Sequence, residues 1–297
     1  MNCTKSQGPA QEIIKRDQIC LWVQQLSDPE MRSNSLLELN KRREVIPDLG
    51  VILWHSFGTV AAMMQEIVDV YQFFNPLTFT AHHSHRLCTI LNLLKSVASH
   101  PETKSAFAQA QIPSYIYPFL KPYKGVEFEN IRTTSLGVLE ALVRNDSEEV
   151  ITHLLSTEVI LYVLEILEKD SKPSKTFAAS ILQCILSHED GLMMICETHE
   201  RFARVATALG IVVNELAKDS TCSDEFQHVG VMLHLVVQCY WRLSQNCRAR
   251  EALKRCLPDE LMDGTFSQFV DDEFSTNCVL TQLLNNLEMC PYAFEMQ

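Results

Sequence analysis

Apolar residues recur at spacings of three and four along most of the chain, which is the pattern of amphipathic helices. Leu87, Leu91, Leu94 and Val97 show this spacing within one segment. Few segments alternate apolar and polar residues as half-buried strands do. The pattern therefore predicts an all-α fold, with helices between about residues 13 and 287.

A short polar block recurs between the helical stripes. Ala98-Ser99-His100-Pro101-Glu102 resembles Leu26-Ser27-Asp28-Pro29-Glu30, and looser copies have their Ser or Asn near positions 145, 187 and 244. Two of the steps between copies fall near the ~40–47 residues of armadillo and HEAT repeats, and the longer steps contain insertions. The spacing predicts an armadillo-type α-solenoid of about six repeats, with capping boxes that begin helices at Ser27 and Ser99.

The regions around the first repeat are predicted in more detail. One long helix is expected from Pro47 to Tyr71, and residues 72–85 are interpreted as a loop or irregular insertion. Near the C-terminus the helical signal weakens after Pro258, and only residues 279–287 look helical.

The domain boundaries follow from where the periodicity begins and ends. Residues 1–12 lack periodicity and are expected to form a flexible N-terminal tail. Residues 13–287 are predicted to form the armadillo-repeat domain, and residues 288–297 a C-terminal tail.

Charge and hydropathy restrict the binding partners. The net charge of −12 argues against broad electrostatic capture of nucleic acid, so nucleic-acid binding is expected to be weak or absent. The longest apolar run, Val229 to Trp241, contains His234 and Gln238 and is too short to span a bilayer. We therefore expect a soluble protein without a membrane partner.

The eleven cysteines form no C-x-x-C pair, and no signal peptide opens the sequence. Most of them lie in apolar helical stretches, where a free cysteine behaves as a small hydrophobic residue. We expect free thiols in a reducing compartment, and no structural zinc.

Catalytic and metal-binding chemistry has little support in the sequence. His82, His83 and His85 form the strongest metal candidate, but no paired cysteine or His-Glu pair completes a zinc site, so polar histidines are the favoured interpretation. The sequence contains no nucleophile elbow, Walker loop, Rossmann fingerprint or zinc-protease motif. We expect no enzymatic activity, cofactor or metal.

A solenoid uses its extended surface to hold other chains, so partner binding is the favoured function. Trp54, His55, Ser56 and Phe57 cannot all face one core, and part of this phrase could form a partner surface or pack between repeats. Polar residues near the repeat edges are further candidates, with ordinary solvated helix ends as the alternative: Asn130, Arg132, Lys175, Thr176, His199 and Arg201.

Several longer phrases resemble a known family over about residues 13 to 287. The phrases are Leu53 to Thr59, Ala98 to Thr103, Ile112-Pro113, Tyr117 to Leu120, Thr134 to Val138, Arg248 to Leu253, and Cys256 to Asp259. They occur in the order found in the family named "required for cell differentiation", which supplies the ninth subunit of the CCR–NOT messenger-RNA deadenylase complex. The resemblance implies a crescent of six armadillo-type repeats without enzymatic activity.

The resemblance also implies two binding surfaces. One docks onto the NOT scaffold subunit and corresponds here to His55, Phe57, Ala61 and Val68. The other takes short peptides, including tryptophan-bearing segments, from RNA-associated repressor proteins. Its matching positions are Asn130, Gly137, Phe177, His199 and Arg201.

The peptide surface departs from the family pattern. Asn130 and His199 stand where the family usually has tyrosines, Phe177 replaces a smaller aliphatic residue and Glu140 replaces glycine. The shortened turn from Lys124 to Phe128 also lacks an arginine. These departures suggest a diverged paralogue whose recruiting partners differ.

The favoured function is a non-catalytic adaptor that docks on the NOT scaffold and binds repressor peptides to promote messenger-RNA deadenylation, decay and translational repression. The alternative is a free-standing armadillo peptide-binding protein in transcription or signalling. Either function implies a location in the cytoplasm and nucleus, and the sequence leaves open whether two copies pair as a homodimer.

Overall fold

The structure is a computed structural model that describes residues 16–144, 148–220, 226–272 and 274–288. The predicted tail at residues 1–12, and the predicted tail at 288–297 apart from Glu288, lie outside these ranges. Helices and turns make up the described residues, and no strand occurs among them. The predicted all-α class is confirmed.

The helices follow one another with short connections. In chain order they are α1 (Arg16–Gln25), α2 (Pro29–Arg42), α3 (Leu49–His55), α4 (Thr59–Val70), α5 (Ala81–Ser99), α6 (Lys104–Gln109), α7 (Ile112–Ile116), α8 (Val126–Val143), α9 (Glu148–Leu155), α10 (Val159–Lys169), α11 (Lys172–Ser187), α12 (Glu189–Cys196), α13 (His199–Asp219), α14 (Phe226–Ser244), α15 (Cys247–Cys256), α16 (Ser267–Asp272) and α17 (Phe274–Asn286). Short 3-10 helices occur at Tyr71–Phe73, Tyr117–Leu120 and Asp259–Leu261.

From α3 onward the helices form triads whose third members pack on one another. These third helices, α5, α8, α11, α14 and α17, are stacked in chain order and are called the central stack below. Helices α10 and α13 form a second layer, and α6, α9 and α12 a third. Five triads preceded by the α1–α2 pair make an armadillo-type α-solenoid, in agreement with the predicted number of repeats.

Aliphatic side chains fill the space between successive triads. Helix α14 illustrates the pattern, since Val229, Leu233, Val236 and Leu243 are all fully buried. Its sequence is apolar on nearly every side because neighbouring helices cover it on several faces.

Hydrogen bonds repeat with the period of the solenoid. The Tyr117 and Thr157 hydroxyls lie 2.8 Å apart and are separated by 40 residues in the chain. The Asn286 amide donates to the Ser244 hydroxyl at 2.9 Å across 42 residues. Because equivalent positions of neighbouring repeats face each other, these bonds fix the register of each repeat on the next.

One buried ion pair also links neighbouring repeats. Arg132 on α8 pairs with Asp170, at the end of α10, and both side chains are only 7% exposed. The same guanidinium donates to the carbonyl oxygens of Lys121 and Tyr123, at 3.1 and 3.3 Å. Arg132 therefore holds the turn before α8 in place as well as joining two repeats.

The predicted capping boxes are wrong in detail. Asp28, and not Ser27, caps α2, because its carboxylate accepts a hydrogen bond from the Glu30 amide at 3.0 Å. Helix α6 begins only after Thr103, since residues 101–103 form a turn, and the Ser99 hydroxyl donates to the Ser96 carbonyl within α5. The recurring block marks turns between helices, in which the residue after the serine, Asp28 or His100, accepts a hydrogen bond from the backbone amide two residues further on.

The predicted long helix from Pro47 to Tyr71 is also wrong. Helices α3 and α4 meet there at an angle of 89°, because Ser56 is extended and Gly58 has a φ of +77°. A side chain at position 58 would be strained and would approach the Ser27 hydroxyl to 3.1 Å. Glycine thus permits both the sharp corner and the contact with the α1–α2 turn.

The predicted loop at residues 72–85 is shorter than expected. Helix α5 already begins at Ala81, where Thr80 and His83 form a capping box, so the predicted loop histidines lie on a helix. Phe74 and Phe79 hold the remaining loop by packing against Phe128, with ring centroids 5.2 and 5.0 Å away. Near the C-terminus, helical structure begins before the predicted residues 279–287, since α16 begins at Ser267 and α17 spans Phe274–Asn286.

Within the described ranges, no single helix combines the length and apolar character that crossing a bilayer requires.

We expect Arg132→Met to lower stability strongly, because it leaves the Asp170 carboxylate buried without its partner. Breaking a buried pair in this way typically costs about 3–5 kcal/mol. The matched control is Lys41→Met: the Lys41 side chain is 64% exposed in its pair with Glu38, and loss of this pair should cost under about 1 kcal/mol. Thermal unfolding of both variants, followed by circular dichroism, measures the difference; equal melting temperatures would contradict the prediction.

Candidate partner-binding surfaces

Helix α4 presents an apolar strip to solvent. Ala61 and Val68 lie seven residues apart, two helical turns, and both are exposed. The opposite side of the helix is buried through Ala62, Met63 and Ile67, and α4 packs on α3 and α5. Helix α4 therefore also carries apolar side chains on the side that the protein leaves uncovered, where Gln65 and Asp69 are exposed beside them.

The corner before α4 adds a large aromatic side chain to this strip. Phe57 is fully exposed between Ser56 and Gly58, and His55 is exposed at the end of α3. Trp54, in contrast, packs on the core. The right-angled corner thus separates the predicted Trp-His-Ser-Phe phrase into an inward Trp54 and an outward Phe57.

Electrostatic contacts anchor the buried side of α4. The Glu66 carboxylate accepts hydrogen bonds from Arg32 on α2 at 2.9 Å and from Arg86 on α5 at 2.6 Å. Burial of the carboxyl opposes ionisation, yet the two guanidinium groups hold the pKa of Glu66 below its ordinary value. The outer strip is therefore displayed on a helix that is fixed from behind.

The central stack forms a second candidate surface. A groove of about 590 Å³ lies between α5, α8 and α11, with Asn130 exposed on its wall. Two turns further along α8, Gly137 adjoins Phe177 of α11, whose ring lies 3.9 Å from where a Cβ on Gly137 would be. The structure thus places three of the five predicted peptide-binding residues along one pair of helices.

The other two predicted peptide-binding residues lie elsewhere, at the N-terminal turn of α13. His199 lines a cleft of about 610 Å³ between α13 and α15, with Phe202 and Arg255. Arg201 lines a separate cleft of about 240 Å³ between α10 and α13. The predicted residues therefore divide between the central stack and a pair of clefts on either side of α13.

Sequence reasoning missed residues of the smaller cleft. Leu161 is about half exposed at its edge, and Arg204 stands beside Arg201 on the same helix. The relevant signal in the sequence is weak, because a leucine in an amphipathic helix is expected to be buried. The signal that could have identified the cleft is the occurrence of two arginines, Arg201 and Arg204, three residues apart on one helix face.

The predicted departure at Glu140 has a structural role. Its carboxylate is buried on α8, pairs with Arg144 and lies 3.4 Å from the Ser180 hydroxyl on α11. Glu140 therefore links two helices of the central stack close to Gly137 and Phe177.

No group of three or more His, Cys, Asp or Glu residues in the described part of the chain is arranged to hold a metal ion. His82, His83 and His85 lie on the first turns of α5, where His83 caps the helix and its ring stacks on Phe73 at 4.8 Å. Their arrangement is that of a helix start.

A model of the "Cell differentiation family, Rcd1-like" matches residues 22–287, which is most of the chain. The chain belongs to this Rcd1-like family. It is 47% identical over 267 residues to the cell differentiation protein rcd1 of Schizosaccharomyces pombe, covering 90% of this chain and 92% of that protein. It is 42% identical to Protein CAF40 of Saccharomyces cerevisiae, covering 90% and 70%.

Solved structures support the fold of this Rcd1-like chain. A designed armadillo repeat protein matches it with a TM-score of 0.61 at 12% identity, covering 91% of this chain and 99% of the other. Another designed armadillo repeat protein, in complex with the peptide (KR)4, matches with a TM-score of 0.57 at 12% identity and the same coverage. At such low identity the likeness concerns the fold alone, and it confirms the predicted armadillo architecture.

Among the described cysteines of this Rcd1-like chain, Cys20, Cys196 and Cys239 are free thiols in different surroundings. Burial raises the pKa of the Cys196 thiol to about 11, and raises that of Cys239, which is fully buried in α14, still further. Cys20 on α1 is exposed. Because the thiolate is the reactive form, the buried thiols should be unreactive near neutral pH.

We expect iodoacetamide at pH 8 to modify Cys20 in the native protein and to leave Cys196 and Cys239 unmodified. In denaturant all three should react, since unfolding restores ordinary thiol pKa values. Peptide mapping by mass spectrometry measures each site, and rapid native labelling of Cys239 would contradict the burial described for α14. Elemental analysis of the same sample tests the prediction that no structural zinc is bound.

Proposed function

We propose that this protein is a non-catalytic adaptor subunit of the CCR–NOT deadenylase complex, which docks on the NOT scaffold through the outer strip of α4. The observation that carries the proposal is the exposed apolar strip of Phe57, Ala61 and Val68 on a helix whose other face is already buried. Membership of the Rcd1-like family and the name of the CAF40 relative support the same assignment.

The strip has the spacing that a partner helix requires. Apolar side chains at intervals of about two turns can pack against one side of an amphipathic helix laid along them. Ala61 leaves room for close approach in the middle, and Phe57 provides a large anchor at one end. Met64 lies between Ala61 and Val68 on α4 and is half-buried. It widens the apolar surface.

The proposed adaptor recruits RNA-associated repressors through short peptides that bind at a distance from α4. The two clefts beside α13 offer apolar walls with cationic residues at their edges. Leu161, Leu164 and Val205 line the smaller cleft, and Arg201 stands at its edge. Such a cleft suits an aromatic anchor, since a tryptophan ring can fill the apolar floor while a guanidinium stacks on its face.

Joining these activities gives the proposed cellular role. By linking repressor peptides to the deadenylase, the adaptor promotes messenger-RNA deadenylation, decay and translational repression in the cytoplasm and nucleus. The acidic net charge of −12 favours peptides over nucleic acid as the recruited ligand. In this proposal residues 13–287 act as one armadillo-repeat domain between the two tails, without a cofactor.

A free-standing armadillo peptide-binding protein in transcription or signalling is the alternative. It shares the clefts beside α13 but gives the α4 strip no NOT partner. Affinity purification of the full chain followed by mass spectrometry separates the two: recovery of the NOT scaffold supports the adaptor, and recovery of other partners without it supports the alternative.

We expect Phe57→Ala and Ala61→Tyr each to abolish capture of the NOT scaffold without changing the melting temperature. The first truncates a large aromatic anchor, a change that costs ~2 kcal/mol or more at a binding hot spot, and the second fills the space left by Ala61. Met193→Ala on α12 is the control, because it removes another exposed apolar side chain, 64% exposed, from a different part of the solenoid. Scaffold pull-down and thermal melt are measured together.

Retained scaffold binding in both folded variants would show that α4 is not the docking face. Loss of binding together with a lowered melt would instead assign these residues to the protein's own packing.

We expect Leu161→Arg to prevent capture of a tryptophan-bearing repressor peptide, because a long cation would occupy the cleft between α10 and α13. Scaffold binding should be unchanged, since α4 belongs to a different triad. Fluorescence polarisation with the labelled peptide measures the first effect and pull-down the second. Glu168→Arg, on the same helix but outside the residues that line the cleft, is the matched control.

A further inference from the structure

The turn between α1 and α2 places an exposed serine beside the corner that begins α4. Residues 27–31 are exposed in succession, and Ser27 lies in the turn and not within a helix. Its hydroxyl oxygen is 3.1 Å from the position that a Cβ on Gly58 would take. Ser27 therefore adjoins the residue that follows the fully exposed Phe57, at one end of the outer strip of α4.

The Ser27 hydroxyl is available for chemistry. Within the described ranges it has no hydrogen-bond partner. The corresponding serine of the second block differs in this respect, because the Ser99 hydroxyl donates to the Ser96 carbonyl oxygen at 3.1 Å. The two related turns thus contain one engaged serine and one unengaged serine.

Acidic residues follow Ser27 at short intervals. Asp28 comes directly after it and Glu30 three residues after it, and both side chains are exposed. Ser99, in contrast, is followed directly by His100. Serine kinases select their substrates by the charges around the acceptor serine, and a kinase with a basic substrate groove prefers a serine that precedes acidic residues. The Ser27 turn has this charge pattern.

We propose that Ser27 is phosphorylated by a serine kinase of this acid-directed class, and that the phosphate prevents docking on the α4 strip. In the reaction the Ser27 oxygen attacks the γ-phosphorus of ATP, and the bond from that phosphorus to the β,γ-bridging oxygen breaks. ADP leaves, and the hydroxyl proton passes to the catalytic base of the kinase. The inference rests on the proposed function, since it concerns control of the same docking strip.

The physical basis of the effect is the cost of covering a charge. A phosphoserine carries a charge of about −1.5 to −2 at pH 7. The ester bond keeps this charge beside Gly58, so a partner that covers Phe57 would also remove water from the phosphate. Burial of a charge without a paired cation is strongly unfavourable.

The cation of this turn is already engaged. Arg32 donates from Nε to the Leu26 carbonyl oxygen at 2.7 Å and from Nη1 to the Glu66 carboxylate at 2.9 Å. Asp28 and Glu30 add negative charge on the same turn. The phosphate is therefore expected to stay hydrated and to oppose an apolar partner.

The effect on docking is tested with the full chain carrying phosphoserine at position 27, introduced during translation. We expect its affinity for the purified NOT scaffold to fall at least about tenfold, with an unchanged melting temperature. The matched control carries phosphoserine at position 99, which adds the same charge at the related turn after α5 and should leave scaffold affinity unchanged.

The modification itself is tested with the unphosphorylated full chain, ATP and a purified serine kinase that requires acidic residues after the serine. Peptide mapping by mass spectrometry should locate phosphate at Ser27 and not at Ser99. Glu30→Gln should slow phosphorylation of Ser27 about fivefold, because one charge contact with the kinase is lost. Ser27→Ala should remove the modification and retain scaffold capture, since only an unbonded hydroxyl is deleted.

Three results would overturn the inference: no phosphate at Ser27 in the kinase reaction, full scaffold capture by the phosphoserine-27 protein, or equal weakening by phosphoserine at positions 27 and 99. A lowered melting temperature of the phosphoserine-27 protein would also overturn it, because the phosphate would then act on folding. Capture by the unmodified protein is measured first. Its failure contradicts the proposed function, whereas the kinase reaction tests the modification site independently.

Discussion

The packing of aliphatic side chains between successive triads is the interaction on which the rest of this structure depends. A single triad cannot bury its apolar faces alone. The apolar faces of a helix in the central stack are buried only when the neighbouring helices of the stack pack against it. Leu233 and Val236 on α14 are fully buried for this reason. The hydrogen bonds between neighbouring repeats and the Arg132–Asp170 pair then select one register for this packing.

Much of the fold could be predicted from local sequence, because helical periodicity and the repeat spacing depend on residues close in the chain. The errors occurred where a tertiary contact decided the local structure. The periodicity continues through Gly58, although the chain turns there, because Ser56 is extended and Gly58 has a positive φ beside Ser27. The start of α5 was missed because aromatic residues in a polar segment resemble a loop, although Phe74 and Phe79 are held by packing against Phe128.

The candidate sites were predictable in part for a related reason. The spacing of Phe57, Ala61 and Val68 was visible, but α4 carries apolar residues on two sides, and sequence alone does not say which side the protein buries. The division of the peptide residues between α8 and α13 depends on how the triads stack. Leu161 was missed because the sequence gives an exposed leucine and a buried one the same appearance.

The register of the solenoid has a mechanical consequence. Since each triad contacts mainly its neighbours, bending of the solenoid is distributed over small changes at the successive interfaces between triads. A ligand that spans α8 and α11 would join two successive triads and reduce bending at the interface between them. Because α4 lies at one end of the stack and α13 towards the other, bending at the junctions between them would change the distance between the two proposed binding surfaces.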